Sequence, residues 1–195
     1  MFYYFAAQLD TRFEDVCIEP KIIESVQTMI SLPLTYPAAF ATGILHKEAL
    51  SGILLYGPPG TGKTMLCRAI AKECKIRMLL ITPSDVEDMY VGETEKLVTA
   101  TFSLARKIAP CAIFIDEVDA LFGLRTGNSS RYHRSTLTQF MQEMDGLKSA
   151  VANKKSGIVV IGATNRPFDL DDAILRRLPR RMLVDLPGPK EREGL

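Results

Sequence analysis

Between Gly57 and Thr64 the chain reads GPPGTGKT, a glycine-rich stretch ending in a lysine and a hydroxyl. Gly57, Gly60 and Gly62, spaced by Pro58, Pro59 and Thr61, let the backbone turn several N–H groups toward one point, the geometry that wraps an oxyanion. The spacing fits GxxxxGK[ST] in every fixed position. Such a loop cradles a phosphate chain, with Lys63 reaching the β- and γ-phosphates, the Thr64 hydroxyl on Mg²⁺, and Met65 following at the same site. A Gly/Pro-rich surface turn has a similar composition. The strand-like GILLY before the loop and the helical KTMLCRAIAKE after it favour the phosphate loop, because a helix start adds its positive dipole end to the same anion.

A second group lies in CAIFIDEVDA, an apolar run ending in Asp116 and Glu117. Strand C-termini of an open parallel sheet face the ligand crevice. There Asp116 is predicted to hold Mg²⁺ through water, and Glu117 to orient and activate a water attacking the γ-phosphate. Two acids at a helix start also suit the helix dipole; with a phosphate loop in the same chain, nucleotide hydrolysis is the stronger reading. Asp119 reads as structural. The run GIVVIGATNRP ends in Thr164, Asn165 and Arg166, and the Asn165 amide is placed to bridge water and γ-phosphate. Asn-Arg-Pro is equally good turn chemistry, but a strand end beside the acidic one favours the functional role. Last comes AILRRLPRRMLVDLPGP, with Arg176, Arg177, Arg180 and Arg181 tightly grouped.

The elements that must position these groups follow from periodicity. GILLY (52–56), RMLLI (77–81), CAIFID (111–116), GIVVIGAT (157–164) and MLVDL (182–186) are nearly continuous apolar runs, the pattern of strands buried on both faces of a parallel sheet. Amphipathic segments alternate with them. PKIIESVQTMI places Ile22, Ile23, Val26, Met29 and Ile30 on one face, and SDVEDMY carries a Ser84/Glu87 capping-box pattern. TEKLVTATFSLARKIA groups Leu97, Thr101, Leu104 and Ile108, and STLTQFMQEMDGL groups Leu137, Phe140, Met141, Met144 and Leu147. The expected loops are 31–51, 123–133, 148–156 and 165–169. Strand–helix alternation predicts an α/β fold, a doubly wound parallel five-stranded sheet with helices on both faces.

The 195 residues suffice for one domain with a core, and 47% hydrophobic with 24% charged residues is ordinary globular composition. A formal net charge of +1 gives no global pull toward nucleic acid or acidic membranes, so any electrostatic function is local. Cys17, Cys67, Cys74 and Cys111 lack CxxC spacing and read as reduced core side chains of an intracellular protein. No apolar run approaches the ~20 residues that span a bilayer. The opening MFYYFAAQL has no basic start for a signal peptide and reads as a packed strand or helix, or the stub of something longer.

These pieces in this order resemble the AAA family of ATPases, from RFEDVCIEPKIIESV through GILLYGPPGTGKT, GETEKLV, FIDEVDAL, QFMQEMDGL and GATNRPFDLDDAILRR to VDLPGP. The resemblance implies a P-loop NTPase, with the AAA large subdomain over 12–191, an N-terminal stub over 1–11, and at 192–195 the truncated start of a helical lid that is otherwise missing. It implies ATP and Mg²⁺ as cofactors and a homo-hexameric ring. The ring would translocate, extract or remodel unfolded or membrane-anchored protein, with no nucleic acid, and would meet a membrane only through segments outside this chain. The spacing LRRLPRRMLVDLP resembles the branch of katanin, spastin, fidgetin and the mitochondrial outer-membrane enzymes that extract tail-anchored proteins; LPLTYPAAF, KTMLCRAIAKE and TFSLARKIAPCAIFIDEVDAL resemble the last group most closely, so a location on that membrane facing the cytosol, or else the cytoplasm, is expected.

Residue by residue, the resemblance makes Asn165 the sensor-1 residue, Val16 and Cys17 part of the adenine-contacting segment, and Tyr90 and Val91 the pore loop gripping substrate. It makes Arg180 and Arg181 the arginine fingers that complete a neighbouring subunit's site, too far along the sheet edge to serve their own; Arg176 and Arg177 would cap their helix or contact the interface. Cys17 stands where the family usually has glycine, leaving a plain apolar wall as the alternative to close backbone approach. Met89 replaces the usual lysine before the pore aromatic. The basic stretch around Arg125, Arg131, His133 and Arg134 reads equally as a collar touching substrate or as a solvated loop. Competing readings are a nucleotide-gated assembly scaffold with little turnover, a microtubule- or ESCRT-type remodelling ATPase, a nucleic-acid motor, and a small-molecule kinase.

Overall fold

The computed structural model describes residues 2–4, 11–36, 52–87, 93–123, 130–152 and 157–188, with the backbone alone at 2–4, 33, 35, 130–133 and 148–152. Six strands form one sheet: β1 (Phe2–Tyr4), β2 (Gly52–Tyr56), β3 (Arg77–Ile81), β4 (Cys111–Ile115), β5 (Ile158–Thr164) and β6 (Arg180–Leu183), in the order β1-β3-β4-β5-β2-β6. The five expected strands pair in parallel. The opening residues add β1, antiparallel to β3 with Phe2 opposite Leu80.

Continuous apolar runs form strands here because both faces are covered. Every residue of β4 and β5 is buried. Alternation sends Ile53 and Leu55 to one core layer and Leu54 to the other. The first layer packs α1 (Pro20–Thr35) and α2 (Lys63–Glu73) through Val26, Ile30, Leu66 and Ile70. The second packs α4 (Glu93–Ile108), α5 (Val118–Phe122), α6 (Ser130–Ala152) and α7 (Asp172–Arg177); α3 (Ser84–Glu87) follows β3. In that second layer Phe140 meets Phe102 edge-on at 5.8 Å and Phe122 at 4.6 Å. Each such side chain fully withdrawn from water contributes roughly 1.5–3 kcal/mol. No helix among the described residues is long and apolar enough to cross a membrane.

Several local expectations need correction. Helix α1 runs through Pro33 to Thr35 rather than stopping at 30, because burying Leu34 in the same layer as Val26 and Ile30 outweighs the lost backbone bond. Helix α6 extends beyond both ends of its expected range, into the expected loops 123–133 and 148–156. It passes Gly146, where a Cβ would stand 3.4 Å from the Arg106 guanidinium, which pairs with Glu143 at 2.6 Å. The buried face of α4 is Val98, Thr101, Phe102 and Ala105; it keeps Thr101 from the expected Leu97/Thr101/Leu104/Ile108 stripe but is turned from the other three. The residue pair that opens α3 is Thr82 and Asp85, not Ser84 and Glu87: the Thr82 N–H donates to Asp85 Oδ2 at 2.9 Å, and the Asp85 N–H to the Thr82 carbonyl at 3.0 Å. Finally, β6 spans 180–183 rather than 182–186, so Arg180 and Arg181 are themselves strand residues.

Candidate active site

The sheet order matters most at its C-terminal edge. Strand β5 is last in sequence among β2, β4 and β5, yet lies between the other two. The strand ends carrying Asp116 and Glu117, then Thr164 and Asn165, then the phosphate loop are therefore successive neighbours, about 4.8 Å apart.

The Gly57–Thr64 loop closes on itself. Gly60 and Gly62 take φ of 79° and 82°, the left-handed region open to glycine. Gly57 is required for a second reason: a Cβ there would lie 2.1 Å from the Val184 carbonyl oxygen, where the chain leaving β6 runs on beside β2 with the Val184 N–H bonded to the Tyr56 carbonyl. Lys63 Nζ donates to the carbonyls of Gly57 (3.0 Å) and Pro58 (2.7 Å) and to Thr61 Oγ1 (3.3 Å). Thr61 Oγ1 also donates to the Pro58 carbonyl at 3.1 Å. Lys63 is only 7% exposed, and burial lowers its pKa against the opposing pull of Asp116. Among the described residues this buried ammonium is bonded only to carbonyl and hydroxyl oxygens and to no counter-ion, and phosphate oxygens would supply one. Among the described residues nothing lies within 4 Å of where a Gly60 Cβ would stand, so the space beside that glycine is open.

Thr64 Oγ1 donates to Asp116 Oδ2 at 2.8 Å, across 52 residues of sequence. A hydroxyl beside a carboxylate is a hard-oxygen donor set suited to Mg²⁺ completed by phosphate and water. The other Asp116 oxygen accepts the Glu117 N–H at 3.0 Å. Glu117 is exposed, with a left-handed φ of 45°, at the junction where β4 ends and α5 begins. Asn165 is exposed at the end of β5. Met65 is 42% exposed on the first turn of α2.

The segment before α1 lies against this loop. The Ile18 N–H donates to the Val16 carbonyl at 2.9 Å, closing a three-residue turn around Cys17. Val16 and Ile18 are buried and stand nearest to Gly62, while Cys17 is half-buried. The apolar side chains beside Gly62 are thus Val16 and Ile18, with Cys17 at the turn between them. Cys67, buried behind the loop, has its thiol pKa pushed well up by burial and further by the Asp116 charge; burial raises Cys111 to about 12.

The arginines are not gathered at this loop. Arg180 pairs with Ile53 and Arg181 with Leu54, which puts them about 13 and 10 Å of strand below Gly57. Both are exposed, and strand alternation sends them to opposite faces of the sheet edge. Arg181 lines an open depression of about 660 Å³ with Leu54, Tyr56, Phe168 and Leu175. Arg176 is exposed at the end of α7. Arg177 donates to the Ala173 carbonyl of its own helix, at a long 3.4 Å, and in addition pairs with Asp145 of α6 at 2.8 Å, a contact the sequence did not suggest. Tyr90 and Val91 lie outside the described residues, as do Met89 and Arg125; Arg134 is exposed.

The linkage the sequence did not reveal is between Thr164 and Asp119. Thr164 Oγ1 donates to Asp119 Oδ1 at 2.6 Å, 45 residues apart. A threonine closing an apolar strand is its one trace in the sequence.

Comparison with known proteins agrees with this geometry. The family model described as ATPase family associated with various cellular activities (AAA) matches residues 53–186. The chain is similar to the spastins of Drosophila virilis (43% identity over 94% of this chain and 23% of that one) and Anopheles gambiae (42% over 94% and 22%). It therefore spans about a quarter of the length of these relatives. It also superposes with a TM-score of 0.81 on the crystal structure of the FIGL-1 AAA domain, at 37% identity over 98% of this chain and 60% of that one.

Proposed function

This chain belongs to the AAA family of ATPases, and from that membership we propose that it binds ATP with Mg²⁺, hydrolyses it, and uses the cycle to remodel protein substrates within a ring of copies. The observation that carries the reading is the Thr64–Asp116 hydrogen bond of 2.8 Å, which joins the phosphate loop to the acidic strand end. Lys63 exchanges its three loop acceptors for phosphate oxygens, and Gly57 to Met65 line the phosphate chain. Thr64 and Asp116 hold the metal, and bound Mg²⁺ supplies positive charge to the phosphate oxygens. Glu117 takes the proton of the attacking water, while Asn165 orients that water. Val16 and Cys17 wall the base.

The edge arginines act on a second copy. Arg177 is engaged within its own chain, and Arg180 and Arg181 diverge, so one of them, alone or with Arg176, reaches a given neighbour's phosphates. Tyr90 and Val91 grip the polypeptide. Within protein remodelling, the likeness to spastins and the FIGL-1 domain favours the microtubule- or ESCRT-type reading, whereas extraction at the mitochondrial outer membrane rests on sequence fragments alone. Co-sedimentation with microtubules separates the two.

The direct test is Glu117→Gln. It should retain ATP while hydrolysis falls roughly 10²–10⁴-fold; an undiminished rate would remove Glu117 from the base role.

A further inference from the structure

We infer that the Asp119–Thr164 hydrogen bond is a positioning device that sets Asn165 against Glu117 and the phosphate loop. The inference rests on the hydrolytic reading above and adds two residues to it.

Thr164 is the crossing point of the three strand ends. Its carbonyl accepts the N–H of Gly57, the first residue of the phosphate loop, at 3.3 Å. Its hydroxyl donates to Asp119 Oδ1 at 2.6 Å, two residues beyond Glu117. The same hydroxyl accepts the Arg166 N–H at 2.9 Å, so the backbone is pinned on both sides of Asn165. The α5 segment is held to the same stretch a second time, by a backbone bridge between Gly123 and Leu170.

A purely structural role explains this poorly. Strand β5 is Ile-Val-Val-Ile-Gly-Ala-Thr, buried throughout, and Thr164 is 1% exposed. Valine has the same shape, and it would leave no hydroxyl to satisfy and recruit no carboxylate into a half-buried position. The hydroxyl instead makes a short, charge-assisted bond, the strong and directional kind. What it adds over valine is a fixed distance between the base-bearing turn and the strand end that carries Asn165. On this inference Asp119 and Thr164 are positioning residues, acting through the residues bonded to and beside them. Errors near 1 Å in such placement cost on the order of 10²-fold in rate.

The experiment compares Thr164→Val, Asp119→Ala and the double variant with Thr164→Ser and Asp119→Asn in the full-length oligomer. It measures kcat and KM for ATP, with the Kd of a fluorescent ATP analogue. The single and double variants should all lose about 10- to 100-fold in kcat while KM and Kd stay within about twofold, and the double should be no worse than either single. Thr164→Ser and Asp119→Asn keep a donor and an acceptor, and should recover most of the rate even if the first variants are less stable. A wild-type kcat in Thr164→Val and Asp119→Ala, beside a kcat that Glu117→Gln abolishes, would overturn this inference alone. Loss of nucleotide binding together with kcat, without recovery in the conservative pair, would overturn it in favour of simple stability. If Glu117→Gln leaves the wild-type rate unchanged, the hydrolytic reading itself fails and this one with it.

Discussion

The phosphate loop and the arginine edge solve opposite problems. In the loop, Lys63 is buried, bonded to three oxygens of its own segment, and backed by the bond from the neighbouring Thr64 to Asp116 at the end of another strand. At the edge, Arg180 and Arg181 occupy the last strand of the sheet, exposed and on opposite faces. A loop organised around a buried cation is ready for an anion brought from solution. Cations at a sheet edge, about 10 Å or more along the strand from their own loop, are presented to whatever approaches that edge. On the proposed function, the chain builds the binding half of a site within itself and carries the other half outward for a second copy.

Substitutions at three places sharpen this contrast. The largest effect is expected at the edge: removing the arginine that reaches the neighbour, by Arg176→Ala, Arg180→Ala or Arg181→Ala, should lower kcat by about 10³-fold or more. Its ATP affinity should stay near wild type, measured by fluorescent-nucleotide titration. Next, Lys63→Ala should weaken nucleotide binding itself, on the order of 10²-fold by calorimetry, because it removes a buried charge partner. Equal loss of affinity in the arginine variants would erase the distinction between the two regions. The smallest effect is expected at Arg177→Ala, whose partner Asp145 is about half-exposed. It should cost under about 1 kcal/mol in chemical denaturation, and a loss of kcat there matching the other arginines would return Arg177 to the edge set.

The sequence makes some of this visible and hides the rest for physical reasons. The five parallel strands are legible because burial on both faces leaves unbroken apolar runs such as Ile53–Leu55 and Ile113–Ile115. The phosphate loop is legible because its chemistry is local, with eight adjacent residues and three glycines. The order of the strands is not, because nothing in β5 records that it inserts between β4 and β2. The face of α4 is only partly legible: Thr101 is buried as expected, but Ala105 is buried beside Phe102 while the larger Leu97 and Leu104 lie partly out, so packing against Phe140 overrides residue size. Asp119 looks like one more acid at a helix start until the fold brings Thr164 to it. The arginine cluster looks single in sequence and divides in space, with Arg177 turned to Asp145 and Arg180 and Arg181 separated by strand alternation.

The central claim, a catalytic site shared between two copies, is tested most directly by mixing two inactive proteins. One carries Glu117→Gln. The other carries Arg176→Ala, Arg180→Ala and Arg181→Ala together. Each alone should hydrolyse ATP at no more than a small fraction of the wild-type rate. Mixed at concentrations that permit association, they should regain measurable turnover, because an intact Glu117 then meets intact arginines across the contact between copies. A mixture as inactive as its components, with association confirmed by light scattering, would contradict the shared site.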